Sequence, residues 1–427
     1  MENSPVKHGT DNVQNYKSAT NNVSGTLVEE ESLEGQVANC IHGIFDSLPA
    51  KCKPRTSING VSEWIPLSGI AIVRDGAIRC VALGTGMKCL PANQTALLDS
   101  RTVLHDWHAE ILAIRAFNHF LLQEAYLLAS SSTYTSCILR RKKANESDSP
   151  SSRSRPYTIH EDLKIMMYCS EAPCGDASME LIMEAQDDAT PWPAVPPTEN
   201  GAQPLLGRGL FSQLGVVRRK PSRPDAPPTL SKSCSDKLAL KQCTSLLSTP
   251  TSLLISPQNA YIHTLILPSS QHRPHACSRS FGPSGRMAPL TLHGWPQGYA
   301  YHPFHVTPTA TSSFTYARHN HNTNPTSSSK NNIYKSCNIS TVWTPTLQET
   351  LINGVLQGRK QMDPKGASAL SKTRMWALFQ EINGMVGGRT NVPVDLPYER
   401  VKEVDALAVR RRVKEETKKV ALKGWDG

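Results

Sequence analysis

Two apolar runs, Gly69-Ile70-Ala71-Ile72-Val73 and Ile78-Arg79-Cys80-Val81-Ala82, flank Asp75-Gly76, and this stretch constrains the fold more than any other. Asp-Gly accepts the positive φ angles that tight hairpin turns demand, so the runs predict an antiparallel hairpin. His108 to Leu128 then reads as one apolar-rich helix, and Val37, Ile41, Ile44 and Phe45 fall at helical spacing upstream. Further core strands are expected at 163–169 and 261–267. Helices are expected at 177–185 and 367–382, with a last one from about Glu399 to Lys423. This alternation of strands and helices predicts an α/β fold, a mixed sheet flanked by helices.

Residues 1–35 are rich in Asn, Ser, Thr and Glu and predict a disordered tail, leaving 36–427 as a single domain. Low-complexity inserts interrupt it near 140–158, 187–230 and 269–335, the last with no clear period. A chain of 427 residues buries enough core to fold without staples. Its eleven cysteines are odd in number and irregularly spaced, which argues against a disulfide framework and for a few thiolates as metal ligands. No run of about 18 apolar residues offers a membrane span. The polar start lacks the apolar stretch of a signal peptide, so a cytoplasmic or nuclear location with reduced thiols is expected. A formal charge of +10 favours partners that carry phosphates. No obligate protein partner is evident, and a monomer is expected.

The chemistry concentrates in His108-Ala109-Glu110, Ala172-Pro173-Cys174 and Ser233-Cys234-Ser235-Asp236. Hydrolytic deamination of a nucleobase needs a strong nucleophile at neutral pH, and zinc lowers the pKa of a bound water to about 7. Such an ion needs three protein ligands and one open position, which one imidazole and two thiolates supply. A carboxylate that does not bind the ion must carry protons from water to the leaving ammonia. His-x-Glu at a helix start provides a ligand and that carboxylate together. Cys174 follows a proline and precedes the amphipathic stretch Met179–Met183, so it is expected at a helix N-terminus, where the dipole favours a thiolate. The general zinc-deaminase signature is H-x-E…P-C-x-x-C; here Ala177 stands where its second cysteine would be, and Cys234 is the candidate replacement. A structural zinc site normally closes with four ligands, and no fourth Cys or His sits in these motifs. Cys80, Cys137 and Cys169 read as core residues, and Cys89 as structural.

Taken in order, His108-Ala109-Glu110, Pro173-Cys174-Gly175-Asp176-Ala177 and Ser233-Cys234-Ser235-Asp236-Lys237 resemble the adenosine deaminases acting on RNA and their tRNA-specific relatives. Gly84-Thr85-Gly86-Met87-Lys88-Cys89 and Ala367-Ser368-Ala369-Leu370-Ser371-Lys372 agree with the same family, and the resemblance runs over roughly 36–427 outside the inserts. It implies a cytidine-deaminase-like sheet with a C-terminal helical extension. It also implies one zinc per chain on His108, Cys174 and Cys234, with Glu110 as the proton shuttle. The compact Cys-x-x-Cys of cytidine deaminases is absent, and inactive relatives that merely bind RNA typically lose the glutamate present here as Glu110.

The resemblance further implies a buried inositol hexakisphosphate, held by Arg115, Lys237, Lys372, Tyr398, Lys402 and Trp425, with Lys241, Arg411 and Arg412 as weaker matches. Relatives that edit duplex RNA carry duplex-binding domains before the deaminase. Only about 35 residues precede it here, which favours the tRNA-specific branch. Members of that branch deaminate the adenosine 3′ of the anticodon (position 37) in alanine tRNA. A loop base is cheaper to extrude than a paired one. Arg218-Arg219-Lys220 with Arg223, and separately Lys88, are the candidate contacts to RNA phosphates. The alternative within the family is an editor of messenger or duplex RNA.

Overall fold

The hairpin forms the centre of an eight-stranded mixed sheet in the computed structural model of the chain. The structure describes residues 31–425 except 56–60, 96, 100, 144–145, 147–154, 185–212, 221–226, 312–313, 319–332, 388, 391 and 394. The sheet strands are β1 (Leu67–Arg74), β2 (Ala77–Thr85), β3 (Lys164–Cys169), β4 (Thr264–Pro268), β5 (His305–Thr309), β6 (Ser340–Thr344), β7 (Leu347–Ile352) and β8 (Val355–Leu356). Their spatial order is β5-β4-β3-β1-β2-β6-β7-β8. Strands β3, β4 and β5 run parallel to one another, and every other neighbouring pair is antiparallel.

Alternation along β1 assigns its side chains to two faces. Ile70 and Ile72 join one core with Val81, Met167 and Leu265, while Ala71 and Val73 join the other with Leu83, Met166 and Tyr168. Helix α1 (Leu33–Ser47) covers the second face through Val37, Ile41 and Phe45. Ser32 caps it, its Oγ accepting the Gly35 N–H at 3.2 Å. Among the described residues, regular structure begins at Leu33, inside the span read as a disordered tail. Residues 1–30 lie outside the described ones.

Helix α2 (Ala109–Ser130) covers the first face and is buried along most of its length. Its close approach to β2 depends on Gly84. A Cβ there would lie 2.7 Å from the Ala113 nitrogen and 2.7 Å from the Leu112 Cβ, distances at which one element must retreat. The remaining labelled helices are α3 (Met179–Glu184), α4 (Cys234–Thr244), α5 (Thr249–Leu254), α6 (Pro274–Phe281), α7 (Lys372–Met385) and α8 (Ala408–Val420). Ser32–Gly427 clusters as one compact unit. Among the described residues no helix is long and apolar enough to cross a membrane.

Three expectations are corrected. The insert 269–335 contains α6 and β5, whose strand borrows its partners from β4 rather than from its own neighbours in sequence. The helix expected from 367 starts at Lys372 because Ser371 is its N-cap. The last helix starts at Ala408, after two 3₁₀ turns at Tyr398–Glu403 and Asp405–Leu407.

Candidate active site

A short antiparallel ladder, Met87–Cys89 against Asp106–His108, delivers His108 to the start of α2. The Ala109 N–H donates to the Gly86 carbonyl at 2.8 Å, pinning the first turn. Cys174 leaves the end of β3 through Ser170 to Pro173 and precedes a 3₁₀ turn, Asp176–Ser178, that runs into α3. Cys234 is the first residue of α4, which Ser233 caps by accepting the Asp236 N–H at 3.1 Å. The thiol at a true helix N-terminus is therefore Cys234, whereas Cys174 was the one expected there.

One ligand atom each from His108, Cys174 and Cys234 lies within 4.8 Å of the others. The Cys174 sulfur is 3.8 Å from His108 Nδ1 and accepts the Cys234 N–H at 3.3 Å. Ser235 joins the two cysteine loops, its N–H bonding the Cys174 carbonyl at 3.0 Å and its hydroxyl lying 2.9 Å from the Pro173 carbonyl. The loops close this tightly because residue 175 is glycine at φ +104°, and a Cβ there would sit 2.3 Å from Ser233 Oγ. A donor hydrogen bond from Cys234, with Lys220 and His108 beside it, holds the Cys174 thiol well below its usual range although burial opposes this. A soft pair of thiols with one imidazole is a donor set suited to zinc. Glu110, the second residue of α2, lies within electrostatic reach of Cys174 and His108 and is 6% exposed. Burial, then the Cys174 thiolate, raise its carboxyl, biasing it to take up a proton.

Cys89, Asp106 and His108 form a second group of ligand atoms within the same 4.8 Å limit. Asp106, however, is already committed. It accepts Lys220 Nζ at 2.9 and 3.1 Å, Ser231 Oγ at 2.7 Å and the His108 N–H at 3.1 Å, and it also bonds Lys237. Burial alone would raise the Asp106 carboxyl; the two lysines override it and hold it well below the carboxylate range. Lys220 is 4% exposed and also donates to the Cys234 sulfur at 3.2 Å. Its ammonium is held charged against burial by Asp106 and Cys234.

A cluster of further cations gathers from α2, α4, α7 and α8. Arg115 on α2 donates to the Leu370 carbonyl at 3.0 Å, Lys241 on α4 to the Leu246 and Leu247 carbonyls at 3.0 Å each, and Arg410 on α8 to Leu247 at 2.8 Å. Burial depresses Arg115, Arg410 and, most strongly, Lys241, whose charge Arg410 and Lys414 also oppose. Burial and neighbouring cations bring Lys372 and Lys414 down to about 8. Among the described residues no carboxylate salt bridge neutralises these five. Tyr398 is half-buried within electrostatic reach of Arg115 and Arg410. Lys402 is exposed but lies within electrostatic reach of Lys372 and Lys414, while Lys418 sits 5.4 Å over the Trp425 ring. Arg411 and Arg412 turn away, Arg411 to the Lys402 and Val404 carbonyls and Arg412 to Glu416. Arg410 and Lys414 were missed. Their spacing with Lys418, at i, i+4 and i+8, is the helical stripe that marks one face.

The basic cluster expected to grip RNA does not form a surface patch. Arg218 is 1% exposed, its N–H donating to Asp236 at 2.9 Å, and Lys220 belongs to the Asp106 network. The Arg218 guanidinium lies buried within electrostatic reach of Asp176 and Asp236, and the Lys220 ammonium bonds the buried Asp106. Arg219 is half-buried, and its backbone bridges to Lys232. Arg223 lies outside the described residues. Lys88 is half-buried, and its ammonium contacts the Asn338 side chain.

The description of an adenosine-deaminase (editase) domain fits residues 82–426. The tRNA-specific adenosine deaminase 1 of Schizosaccharomyces pombe is 33% identical over 407 residues, covering 94% of this chain and 96% of that protein. The Saccharomyces cerevisiae protein of the same name is 32% identical over 236 residues, covering 52% of this chain and 56% of its own length. Mouse double-stranded RNA-specific editase B2 is 28% identical over 209 residues, covering 46% of this chain and 25% of its own. The chain belongs to the adenosine-deaminase (editase) family and is a deaminase enzyme of the mixed α/β deaminase fold.

Proposed function

We propose that the protein is a zinc-dependent deaminase that hydrolyses adenosine to inosine in tRNA, at the adenosine 3′ of the anticodon (position 37) of alanine tRNA, and acts as a monomer. The convergence of His108, Cys174 and Cys234 beside Glu110 carries the chemical half of this reading. The resemblance along nearly the whole length of a protein named a tRNA-specific adenosine deaminase supports the substrate half. Zinc held by His108, Cys174 and Cys234 would supply a water acidic enough to be hydroxide near neutral pH. Glu110, its carboxyl raised, would hold a proton and pass it to the leaving amine. Burial and the neighbouring Cys174 push the Cys234 thiol up; Lys220 opposes them and favours its thiolate, and Asp106 keeps Lys220 in place.

The cation cluster supports the companion reading that inositol hexakisphosphate fills the interior. It would be held by Arg115, Lys237, Lys372, Tyr398, Lys402 and Trp425, with Lys241, Arg410 and Lys414. Buried cations without counter-charges are costly, and a polyanion removes that cost. For RNA, Lys88 remains the candidate among the described residues, since it stands on the ladder that ends at His108.

Inosine mapping of total tRNA incubated with the purified protein tests the substrate. Inosine is expected at the position 3′ of the anticodon in alanine tRNA. Equal deamination of a long perfect RNA duplex would establish the editing alternative instead.

A further inference from the structure

Each thiol of the candidate metal site is followed, two residues on, by an aspartate whose side chain is fully buried: Asp176 after Cys174 and Asp236 after Cys234. Side chains of the segment 279–286 reach both. On α6, Arg279 Nε lies 3.2 Å from each Asp176 oxygen. Its Nη2 donates to the Asp176 carbonyl at 3.0 Å, and the fork also engages Glu180 at 2.5 and 3.0 Å. Ser280 Oγ adds a bond to Asp176 at 2.7 Å. In the turn after α6, Arg286 is almost fully buried, and its Nη1 donates to Asp236 at 2.6 Å. Its Nε donates to the Ser280 carbonyl at 3.0 Å, tying the two halves of the segment together. The second oxygen of Asp236 accepts the Ser233 hydroxyl at 2.6 Å and the Arg218 N–H at 2.9 Å.

We propose that Arg279 and Arg286 are positioning residues for the metal, acting through Asp176 and Asp236 to set the spacing and orientation of the Cys174 and Cys234 sulfurs. The proposal rests on the reading of these thiols as zinc ligands. The 215–218 segment also reaches both aspartates, but through backbone donors, the Gly215 N–H to Asp176 at 2.7 Å and the Arg218 N–H to Asp236 at 2.9 Å. The direct links between the loops run through Ser235 and the Cys234 N–H, whereas the charges of the two buried aspartates are matched by Arg279 and Arg286. A buried carboxylate that loses its cation must find water. Either aspartate moving outward would carry with it a thiol only two residues away. Neither arginine donates to a sulfur in the structure, so both act at one remove.

The test replaces each arginine by methionine and by lysine in the full chain, loaded with zinc or with cobalt(II). Thiolate-bound tetrahedral cobalt shows visible d–d bands that report the ligand arrangement directly. Arg279→Met and Arg286→Met should release zinc to a chromophoric chelator roughly 10–100-fold faster, the range typical when outer partners of a metal site are lost. Their cobalt bands should shift, with far-ultraviolet circular dichroism unchanged. The lysine variants, which keep the charge without the fork, should recover part of the loss. Folded methionine variants with wild-type release rates and unaltered bands would overturn the proposal. Where a methionine variant fails to fold, Ser280→Ala removes a single Asp176 bond and should move both readouts slightly in the same direction; no movement there also overturns it. A wild-type chain that binds neither zinc nor cobalt removes the metal reading itself, a result distinct from failure of the arginines.

Discussion

Lys220→Met removes one ammonium and leaves a side chain of similar shape, so it isolates the charge that touches Cys234. At 3.2 Å and an effective dielectric constant of about 20, the gross attraction between ammonium and thiolate is about 5 kcal/mol. Losing one member of a buried ion pair typically costs about 3–5 kcal/mol. The loss should be smaller here, because Asp106 keeps Lys237, Ser231 and the His108 N–H. A destabilisation of about 2–3 kcal/mol is expected in urea unfolding, in keeping with one lost charge-assisted hydrogen bond plus residual repulsion. The thiolate should suffer in parallel. With 1.36 kcal/mol per pKa unit, removing the cation raises the pH at which Cys234 gives up metal by about one to two units. Since thiolates bind metal only when deprotonated, zinc should be lost earlier on acidification, followed with a chromophoric chelator between pH 7 and 4. The stability that Asp106 adds has the matching sign. Its folded pKa is depressed, so the contribution is present above the ordinary carboxylate range and disappears as pH falls. A Lys220→Met protein with unchanged stability and an unchanged zinc-loss midpoint would refute the electrostatic role.

Glu110→Gln should fold and keep its metal yet lose about 10²–10⁴-fold in deamination, measured by inosine formation, because an amide cannot relay protons. Gly175→Ala should lower zinc content per chain, measured by elemental analysis, because the new methyl meets Ser233 Oγ and the backbone sits at a φ that disfavours alanine. Full zinc content in that variant would show that the two loops separate without harm. Lys372 and Lys414, held near 8, are mostly neutral at pH 9 while the pocket is empty, so binding inositol hexakisphosphate should take up about one to two protons there. Affinity should therefore fall as pH rises through 8. Calorimetry in buffers of different ionisation enthalpy measures the uptake, and Lys372→Met with Lys414→Met should abolish it.

The hairpin, α2 and the three ligand motifs were legible because each is a local pattern: an Asp-Gly turn, a 3.6-residue period and short spacings of His, Glu and Cys. Helix α4 was not, since its apolar residues Leu238, Leu240 and Cys243 are diluted by Lys and Gln, and its start is fixed by the Ser233 cap. Strand β5 carries little apolar signal of its own, only Val306 between polar neighbours and Pro308, and it exists because β4 offers a parallel edge. The basic run at 218–220 misled for the same reason. A charge run is normally a solvated face, and only the fold reveals that Asp176 and Asp236 lie near the Arg218 charge and Asp106 bonds Lys220. In the run at 410–412 the buried member is Arg410, in step with Val413 and Lys414, a phase readable only once the helix start at Ala408 is known.

The residues of the candidate metal site and of the cation cluster are drawn from segments spread along almost the whole described chain, and α8 contributes Arg410 and Lys414 only after every sheet strand has been made. A ribosome delivers these parts in sequence order. His108 and the arginine of α2 emerge long before the thiols, and the cations of α4 and α7 emerge before the helix that helps enclose them. Until α8 arrives, the interior is a half-built chamber of like charges that has every reason to stay open to water. An anion held there as proposed would be enclosed only in the last steps of synthesis, so that an interrupted chain would carry these groups without the chamber that organises them.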